Sequence, residues 1–293
     1  ARIKRIDTER LRSELDKRKI IIVAGFQGVN KYDDITTLGR GGSDTSAVAL
    51  AASLKADKCQ IYTDVDGVFS ADPRKVEGAV MLKEISYDEM LELASCGAQV
   101  LHNRSVEMAK KYGVQLVVRS SLNESEGTVL KEEVKVERML ISGVALDKNV
   151  ARISVMGLKD EPGIAFKLFD CLAKANINVD VILQSIGREG TKDITFTVAR
   201  DEADNAVKAI HAQKARITLQ DITVNRNVNK ISIVGAGMMS NPGVAAKMFE
   251  ALYNVGVNIN MISTSEIRVT VIVDEGKAEK AMNAVHDAFM GVE

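Results

Sequence analysis

The sequence Thr36-Thr-Leu-Gly-Arg-Gly-Gly-Ser43 leads through Asp44 into the alanine-rich run Thr45-Ser-Ala-Val-Ala-Leu-Ala-Ala-Ser-Leu-Lys55. Alanine and leucine favour a helix over that run. Paired glycines just before a helix let backbone N–H groups approach an anion without obstruction by Cβ atoms, and the positive end of the helix dipole adds to the attraction. The stretch therefore predicts an anion-binding cradle.

Two side chains of this cradle have alternative interpretations. Arg40 offers a planar guanidinium suited to a carboxylate, and Asp44 could either cap the helix or orient a cationic side chain. A glycine-rich turn, with Asp44 as the N-cap and Arg40 in solvent, accounts for the same residues without any function. This segment by itself leaves both interpretations open.

Strand and helix patterns continue on both sides of the cradle. Ile20–Ala24 is an apolar run typical of a fully buried strand in a parallel sheet, and Cys59–Thr63 predicts a second strand. The resulting strand, loop, helix, strand order is that of an α/β domain. Further along, the sequence predicts helices over Asp88–Ala94 and Ser105–Tyr112, a buried strand over Gln115–Arg119 and a polar linker over Asn123–Glu137.

A second polar cluster, Thr63-Asp-Val-Asp-Gly-Val-Phe69, follows the carboxyl end of the second predicted strand, where open α/β sheets usually bind ligands. Its carboxylates could accept hydrogen bonds from a ribose or a base, and Arg74 could reach phosphate oxygens. The alternative is that Asp66-Gly67 is only a turn and that Arg74 pairs with Asp72 at the surface. The residues alone do not decide between the two.

An internal repeat fills the second half of the chain. The matching segments are Ile153–Gly157 with Ile231–Gly235, Pro162-Gly163 with Pro242-Gly243, Ile177–Val179 with Val257–Ile259, Ile194–Val198 with Ile267–Val271, and Ala206–His211 with Ala281–His286. Apolar residues at helical spacing mark the first helix of each copy, namely Ile164, Leu168 and Leu172, and Val244, Met248 and Leu252. We expect two βαββαβ units side by side.

Composition limits the classes of function. A chain of 293 residues is long enough for two or three domains. Because 39 Lys and Arg nearly balance 40 Asp and Glu, no overall charge draws the protein to nucleic acid or to an anionic membrane, and no apolar run reaches the roughly 18 residues that cross a bilayer. The separated cysteines fit reduced, buried thiols of a cytoplasmic protein, and the scattered histidines predict no metal site: Cys59, Cys96, Cys171; His102, His211, His286.

The two polar clusters together resemble the aspartokinase branch of the amino acid kinase family. The resemblance rests on Ala24–Gly28, the long stretch Thr36–Ala47, Thr63–Val68 with Ala71–Arg74, Ile85–Met90 and Val117–Ser121. It implies an α/β fold, a three-layer αβα amino-acid-kinase sandwich present in part, followed by two ferredoxin-like βαββαβ ACT domains. It also implies transfer of the γ-phosphate of ATP, with Mg²⁺, to the side-chain carboxylate of L-aspartate.

The resemblance assigns roles to individual residues. Arg40 would hold the α-carboxylate of aspartate. Ser43, with the backbone of Gly41 and Gly42, would lie near the reacting carboxylate. Asp44 would position a catalytic lysine, which the family's N-terminal Lys-Phe-Gly-Gly-Thr-Ser segment supplies; that segment is not among these residues, so we expect part of the natural N-terminus to be missing. The nucleotide would contact Thr63, Asp64, Phe69, Arg74 and Gln99, the last standing where many relatives carry a lysine.

The repeats resemble ACT domains, which bind amino acids and carry feedback control in this family. Each Pro-Gly pair precedes a helix whose free N–H groups and dipole could receive an effector's carboxylate. A purely structural turn is the alternative, because proline is common at the first position of helices that bind nothing. The resemblance implies lysine, alone or with threonine, as the effector. The candidate effector-binding residues are Asp160, Pro162, Gly163, Ile164, Gln184, Asn241, Gly243, Val244, Asn258, Ser263 and Glu266.

Domain limits and partners follow from the same resemblance. Residues 1–133 would be the C-terminal portion of the kinase domain, 148–225 the first ACT domain, and 138–147 with 226–293 the second. We expect a homo-oligomer formed through the ACT domains. Two alternatives stay open: a non-catalytic regulatory subunit that binds effector amino acids, and a kinase acting on glutamate or a nucleoside monophosphate.

Overall fold

The computed structural model describes residues 2–98, 100–132, 140–186, 190–213 and 216–291. The chain divides into two compact units. The first takes in the chain up to Ala145 together with Val234–Pro242 and the stretch from Phe289, and the second takes in Leu146–Ile233 and Gly243–Ala288. Within the described residues, every helix is too short or too polar to span a bilayer.

The first unit contains a four-stranded sheet and a separate two-stranded ribbon. Its elements are α1 (Glu9–Asp16), β1 (Gln27–Val29), β2 (Ile35–Thr37), α2 (Gly42–Leu54), β3 (Cys59–Thr63), β4 (Glu84–Ser86), α3 (Tyr87–Ser95), α4 (Asn103–Tyr112), β5 (Leu116–Ser120) and β6 (Thr128–Lys131). β1 and β2 form the ribbon, and the sheet order is β3-β5-β6-β4. Because β3 and β5 are parallel, with Thr63 opposite Ser120, their carboxyl ends lie at the same edge of the sheet.

The core of the first unit packs α2, α3 and α4 against this sheet. Val48 of α2, Met90 of α3 and Leu116 of β5 are fully buried. The alanines of α2 have no side chain beyond Cβ, so the helix can lie close to its neighbours while burying Val48. The structure confirms the predicted helices and the predicted strands at β3 and β5 to within three residues.

The predicted buried strand over Ile20–Ala24 is wrong. Residues 20–24 form no strand, and Ile20 and Ile22 are 96% and 95% exposed. A strand needs a neighbouring strand for its N–H and C=O groups. No sheet among the described residues includes this segment, so its apolar composition alone does not lead to burial.

The predicted linker over Asn123–Glu137 is wrong in its middle part, where β6 forms and Leu130 is fully buried. The hydroxyl of Thr128 donates to the carbonyl of Leu82 at 2.6 Å and accepts from the N–H of Val68 at 2.8 Å. A polar side chain can be buried when its hydrogen bonds are satisfied in this way. Residues 133–137 of the predicted linker lie outside the described residues.

The repeats form two four-stranded sheets with helices. Their elements are β7 (Gly143–Asp147), β8 (Ala151–Lys159), α5 (Ile164–Lys174), β9 (Ile182–Ile186), β10 (Thr191–Val198), α6 (Ala203–His211), β11 (Asp221–Asn225), β12 (Val228–Val234), α7 (Val244–Asn254), β13 (Met261–Thr264), β14 (Arg268–Asp274) and α8 (Ala278–Met290). The sheet orders are β11-β8-β10-β9 and β13-β14-β12-β7. β7, which precedes the first repeat in the chain, takes the position in the second sheet that β11 takes in the first. This order confirms the expected ferredoxin-like fold.

The predicted core faces of the repeat helices are also confirmed. Leu168 and Leu172 of α5 are fully buried, as are Met248 and Leu252 of α7. In the first repeat the ring of Phe196 packs edge-to-face against another phenylalanine, Phe169, with 5.6 Å between ring centroids. Each repeat therefore buries the apolar stripe that its helical spacing predicted.

Candidate functional site

The predicted cradle lies at the start of α2. The helix begins at Gly42, and its N-cap is Gly41, whose φ of 68° is a left-handed conformation that glycine adopts readily. No side chain caps the helix, and the N–H of Gly42 donates to the carbonyl of Gly39 at 3.0 Å. Among the described residues the N–H groups of Ser43 and Asp44 have no acceptor, so they stay available for an external one. The interpretation of Asp44 as the N-cap is therefore wrong, because Asp44 lies within the first turn and its backbone is already helical.

Both cradle glycines face neighbouring groups that leave no space for a side chain. A Cβ atom on Gly41 would lie 2.3 Å from Cγ of His102, and one on Gly42 would lie 2.9 Å from Cβ of Leu38 and 3.0 Å from the ring of Phe26. Contacts below 3.0 Å are too short for real Cβ atoms. Glycine is therefore required at both positions by packing as well as by the conformation of Gly41.

Two hydroxyl side chains of α2 hold the cradle backbone through hydrogen bonds to its carbonyl groups. The hydroxyl of Thr45 donates to the carbonyl of Gly41 at 2.9 Å, and the hydroxyl of Ser46 donates to the carbonyl of Gly42 at 2.7 Å. Ser46 also accepts from the N–H of Phe26 at 3.2 Å, which ties the preceding segment to the cradle. Both hydroxyl side chains are buried, so these bonds are shielded from water.

The candidate side chains of the cradle are accessible or partly accessible to solvent. Arg40 and Ser43 are exposed and Asp44 is half-buried. The hydroxyl of Ser43 lies 3.4 Å from a carboxylate oxygen of Asp44. Among the described residues Arg40 makes no hydrogen bond or ion pair, so its guanidinium is free to bind an anion beside an uncapped helix start.

The second polar cluster lies where β3 and β5 end. The hydroxyl of Thr63 donates to Asp64 at 3.1 Å, and the carbonyl of Thr63 accepts from the N–H of Ser121 at 2.8 Å. The side-chain amide of Asn123 donates to Asp66 at 2.7 Å. The parallel pairing thus brings hydroxyls, carboxylates and an amide from two strand ends to one edge. No hydrogen bond or ion pair in the described part of the chain joins these groups to the cradle side chains.

Other predicted nucleotide-binding residues lie in different surroundings. Arg74 is exposed, and its guanidinium donates two hydrogen bonds to Asp72, at 2.9 and 3.2 Å, as the alternative interpretation of this segment predicted. The Arg74 guanidinium, together with Lys75, holds the pKa of Asp72 well below its usual range. Phe69 is half-buried and forms a single antiparallel bridge with Met81. Gln99 lies outside the described residues.

The two Pro-Gly pairs precede α5 and α7. Gly163 and Gly243 are the N-caps, with φ of 90° and 94°, and neither helix has a side-chain cap. A Cβ atom at either glycine would meet no atom within 4 Å, and the first buried residues are Ile164 and Val244. Pro162 and Pro242 thus lie one residue before the cap and not at the first helical position.

The remaining candidate effector residues differ in how they are bonded. Asp160 pairs with Lys192 at 2.7 Å, whereas the side-chain amide of Asn241 donates to the carbonyl of Gly237 at 2.8 Å. In the second unit β9 contacts β13, which places strands from both repeats beside each other. Of the residues on or near these strands, Ser263 is half-buried and the others are exposed: Gln184, Asn258, Glu266.

Two residues with structural roles near these sites were not among the candidates. His102 packs against Gly41. Glu89 is buried and accepts from the hydroxyl of Ser142 at 2.6 Å and from the N–H of Ala236 at 2.9 Å. The spacing Ser86-x-x-Glu89 is that of a capping box, so the sequence could have indicated the local part of the Glu89 bonding but not its distant partners.

Comparisons with known proteins agree with this architecture. The model of the amino acid kinase family matches residues 1–120, and the ACT domain model matches residues 153–213 and 231–289. The fold is thus that of an amino acid kinase domain with two ACT domains.

The chain is 49% identical to an aspartokinase of Bacillus sp. (strain MGA3) over 290 residues, which covers 99% of this chain and 71% of the relative. The chain therefore belongs to the aspartokinase family of phosphotransferases. Two structures of E. coli aspartokinase III are each 27% identical, one in complex with aspartate and ADP (TM-score 0.80) and one in complex with lysine and aspartate (TM-score 0.75). They cover 95% and 96% of this chain, and the chain spans 62% of each of them.

Proposed function

We propose that this protein is a feedback-regulated aspartate kinase. It would transfer the γ-phosphoryl group of ATP to the side-chain carboxylate of L-aspartate, giving 4-phospho-L-aspartate for lysine, threonine and methionine biosynthesis. The observation that carries the proposal is the free guanidinium of Arg40 beside the start of α2. That helix start has no side-chain cap, and its two glycines pack against neighbouring side chains. Such a site presents a bidentate donor and a positive dipole end to a small dicarboxylate.

The cradle residues divide the work of binding and positioning. Arg40 would hold the α-carboxylate, since its planar fork matches two carboxylate oxygens. The backbone of Gly41 and Gly42 and the hydroxyl of Ser43 would lie near the side-chain carboxylate that attacks the phosphorus. Asp44 would orient a lysine that neutralises charge on the transferred group. Phosphoryl transfer depends mainly on such positioning and electrostatics, and no covalent enzyme intermediate is required.

We place the nucleotide at the strand ends that carry Thr63 and Asp64, with Phe69 and Gln99 as further contacts. Arg74 would have to exchange Asp72 for a phosphate, which is feasible because the pair is at the surface. Mg²⁺ fits this edge, since it prefers oxygen donors and needs only one or two protein carboxylates. Asp64 and Asp66 could supply them. When bound, the metal would neutralise charge on the phosphates.

The repeats would bind lysine, alone or with threonine, at the starts of α5 and α7. Support comes from the two uncapped helix starts with positive-φ glycines, and from the E. coli neighbour that was crystallised with lysine. We propose the domain limits given by the sequence and a homo-oligomer formed through the ACT domains. A cytoplasmic location would suit the free, buried thiols: Cys59, Cys96, Cys171.

The test is L-aspartate binding by the full chain, measured by titration calorimetry, together with ADP release in a coupled assay. Arg40→Ala should weaken aspartate binding by about 10- to 100-fold, because a charge-assisted pair is lost, while nucleotide binding stays unchanged. Arg40→Lys should recover only part of the affinity, since an ammonium cannot bind a carboxylate through a planar fork. Unchanged saturation by aspartate in Arg40→Ala would exclude this assignment.

The same experiment separates the proposal from the alternatives. A complete natural protein that binds lysine or threonine but neither binds nor phosphorylates aspartate would be a regulatory subunit. A chain that phosphorylates glutamate or a nucleoside monophosphate in preference to aspartate would contradict the substrate assignment.

A further inference from the structure

We propose that His102 is a positioning residue for the substrate cradle, in which its imidazole braces the turn at Gly41 and ties that turn to the start of α4. The inference rests on the proposed function, because the cradle is the site assigned to aspartate. It concerns a residue that makes no assigned contact with substrate or nucleotide.

The contact between His102 and the cradle is close. A Cβ atom on Gly41 would lie 2.3, 2.4 and 2.5 Å from Cγ, Cβ and Cδ2 of His102. The histidine side chain therefore occupies the space beside the backbone of Gly41. In the sequence, Gly41 lies between exposed Arg40 and buried Gly42. Gly41 has a positive φ and no side chain of its own; Thr45 holds its carbonyl, and the His102 side chain limits its movement further.

The other side of the ring is held by α4. Nδ1 of His102 accepts from the N–H of Arg104 at 3.3 Å, so the neutral ring carries its proton on Nε2. The backbone carbonyl of His102 accepts from the hydroxyl of Ser105 at 2.6 Å and from its N–H at 2.9 Å. The ring is thus fixed at the N-cap of α4 and cannot turn away from Gly41 without losing the cap.

A second, weaker contact runs between the same two segments. The guanidinium of Arg104 lies 3.5 Å from the carbonyl of Leu38, which begins the turn into the cradle. Together the contacts of His102 and Arg104 place the start of α4 against both ends of the turn that carries Arg40. The bracing would set the direction of Arg40 relative to the first N–H groups of α2, which is what two-point binding of a dicarboxylate requires.

The role is positioning and not proton transfer. Nδ1 is used by the helix cap, and the His102 atoms nearest to the Cβ position of Gly41 are the carbons Cγ, Cβ and Cδ2. Loss of the ring should therefore raise the KM for aspartate and leave kcat and the KM for nucleotide nearly unchanged. A residue that only stabilised α4 would change none of these selectively.

Two variants separate the ring from the cap. His102→Asn keeps an N-cap acceptor for α4 but removes the ring, and His102→Phe keeps a ring against Gly41 but removes the acceptor. In the full chain, we expect the Asn variant to bind L-aspartate about 10- to 100-fold more weakly and the Phe variant to stay within about 3-fold of wild type. Amide hydrogen exchange at Ser43 and Asp44 should accelerate in the Asn variant only.

The opposite pattern would overturn the inference. If the Asn variant binds aspartate like wild type and its amide exchange at Ser43 and Asp44 is unchanged, the ring does not brace the cradle and His102 serves only as a cap. If the wild-type chain itself binds no aspartate, the proposed function fails, and the exchange rates still decide the bracing: equal acceleration in both variants, or in neither, contradicts it.

Discussion

Helices α3 and α4 begin differently from α2, α5 and α7. The start of α3 is closed by a capping box, in which the hydroxyl of Ser86 accepts from the N–H of Glu89 and the Glu89 carboxylate accepts from the N–H of Ser86. The start of α4 is closed by Nδ1 of His102. The starts of α2, α5 and α7 each have a positive-φ glycine and no side-chain cap. Closed starts use helix N–H groups for hydrogen bonds to side chains, whereas the open starts have no side-chain acceptor for theirs.

The open starts differ among themselves. Gly41 at α2 is walled in by the His102 ring, whereas Gly163 and Gly243 have no atom within 4 Å of a Cβ position. Glycine is thus needed at α5 and α7 only for its backbone conformation, and at α2 also for space. The difference indicates that the backbone at the start of α2 is packed more tightly than the backbone at the starts of α5 and α7.

Gly41→Ala should have the largest effect on stability. The change adds backbone strain from the left-handed conformation and overlap with His102, for a total of roughly 2–5 kcal/mol in the free energy of unfolding. Gly39→Ala is the matched control, because Gly39 has a φ of 82° but nothing within 4 Å of its Cβ position. The difference between the two variants in denaturant unfolding measures the overlap alone. Equal losses in the free energy of unfolding for the two variants would mean that the contact with His102 does not hold the turn at Gly41.

Glu89→Gln should have the next largest effect and tests the closed start of α3. Burial alone would raise the pKa of Glu89, but hydrogen bonds from Ser142, Ala236 and Ser86 outweigh it and hold the pKa below its ordinary 4.5. The carboxylate therefore stabilises the fold above that pH, and its contribution is lost as pH falls through the lower, folded value. We expect Glu89→Gln to cost about 2–3 kcal/mol at neutral pH, because a carboxylate bonded by buried donors is lost.

The stability difference between wild type and Glu89→Gln should shrink as the pH is lowered below 4.5. Chemical unfolding at several pH values measures it. Glu107→Gln, at an exposed position on α4, is the control and should leave stability nearly unchanged across the range. A Glu89→Gln deficit that is the same at acidic and neutral pH would contradict a charged capping group.

Periodicity predicted the parts of the fold whose neighbours are local or repeated. The α5 and α7 faces with Leu168 and Met248 are buried as their spacing indicated, because an amphipathic helix determines which face it buries. Ile20–Ala24 failed because burial of a strand depends on partner strands that its own residues do not specify. The β6 strand was missed because Thr128 is polar, and its buried hydrogen bonds come from residues distant in sequence.

The residues of the candidate site fall into the same two groups: those with a local sequence pattern and those that only the fold brings together. The glycines and Arg40 could be identified because an open helix start has a short local pattern. Asp44 was one alternative for the cap, but glycine at a positive φ serves as the N-cap instead. The contacts of His102 with Gly41, and of Glu89 with Ser142, join residues far apart in the chain, and only packing in three dimensions brings them together.

The smallest effects should come from Gly163→Ala and Gly243→Ala. With no atom near either Cβ position, only the positive φ counts, so each should cost about 1–2 kcal/mol in the free energy of unfolding. Gly276→Ala, at a position with open space and no positive φ, is the control and should be nearly neutral. A loss of stability in either variant as large as that of Gly41→Ala would contradict the distinction between the enclosed glycine at α2 and the unenclosed glycines at α5 and α7.

Because the two stability losses should be equal, the proposed lysine binding can be tested and compared directly between these variants. The start of α5 is surrounded by charged pairs such as Asp160 with Lys192, whereas the start of α7 has the neutral Asn241 before it. The variant that loses lysine affinity beyond its stability loss identifies the repeat whose open start receives the carboxylate. Equal, undiminished lysine binding in both would mean that these helix starts are structural turns.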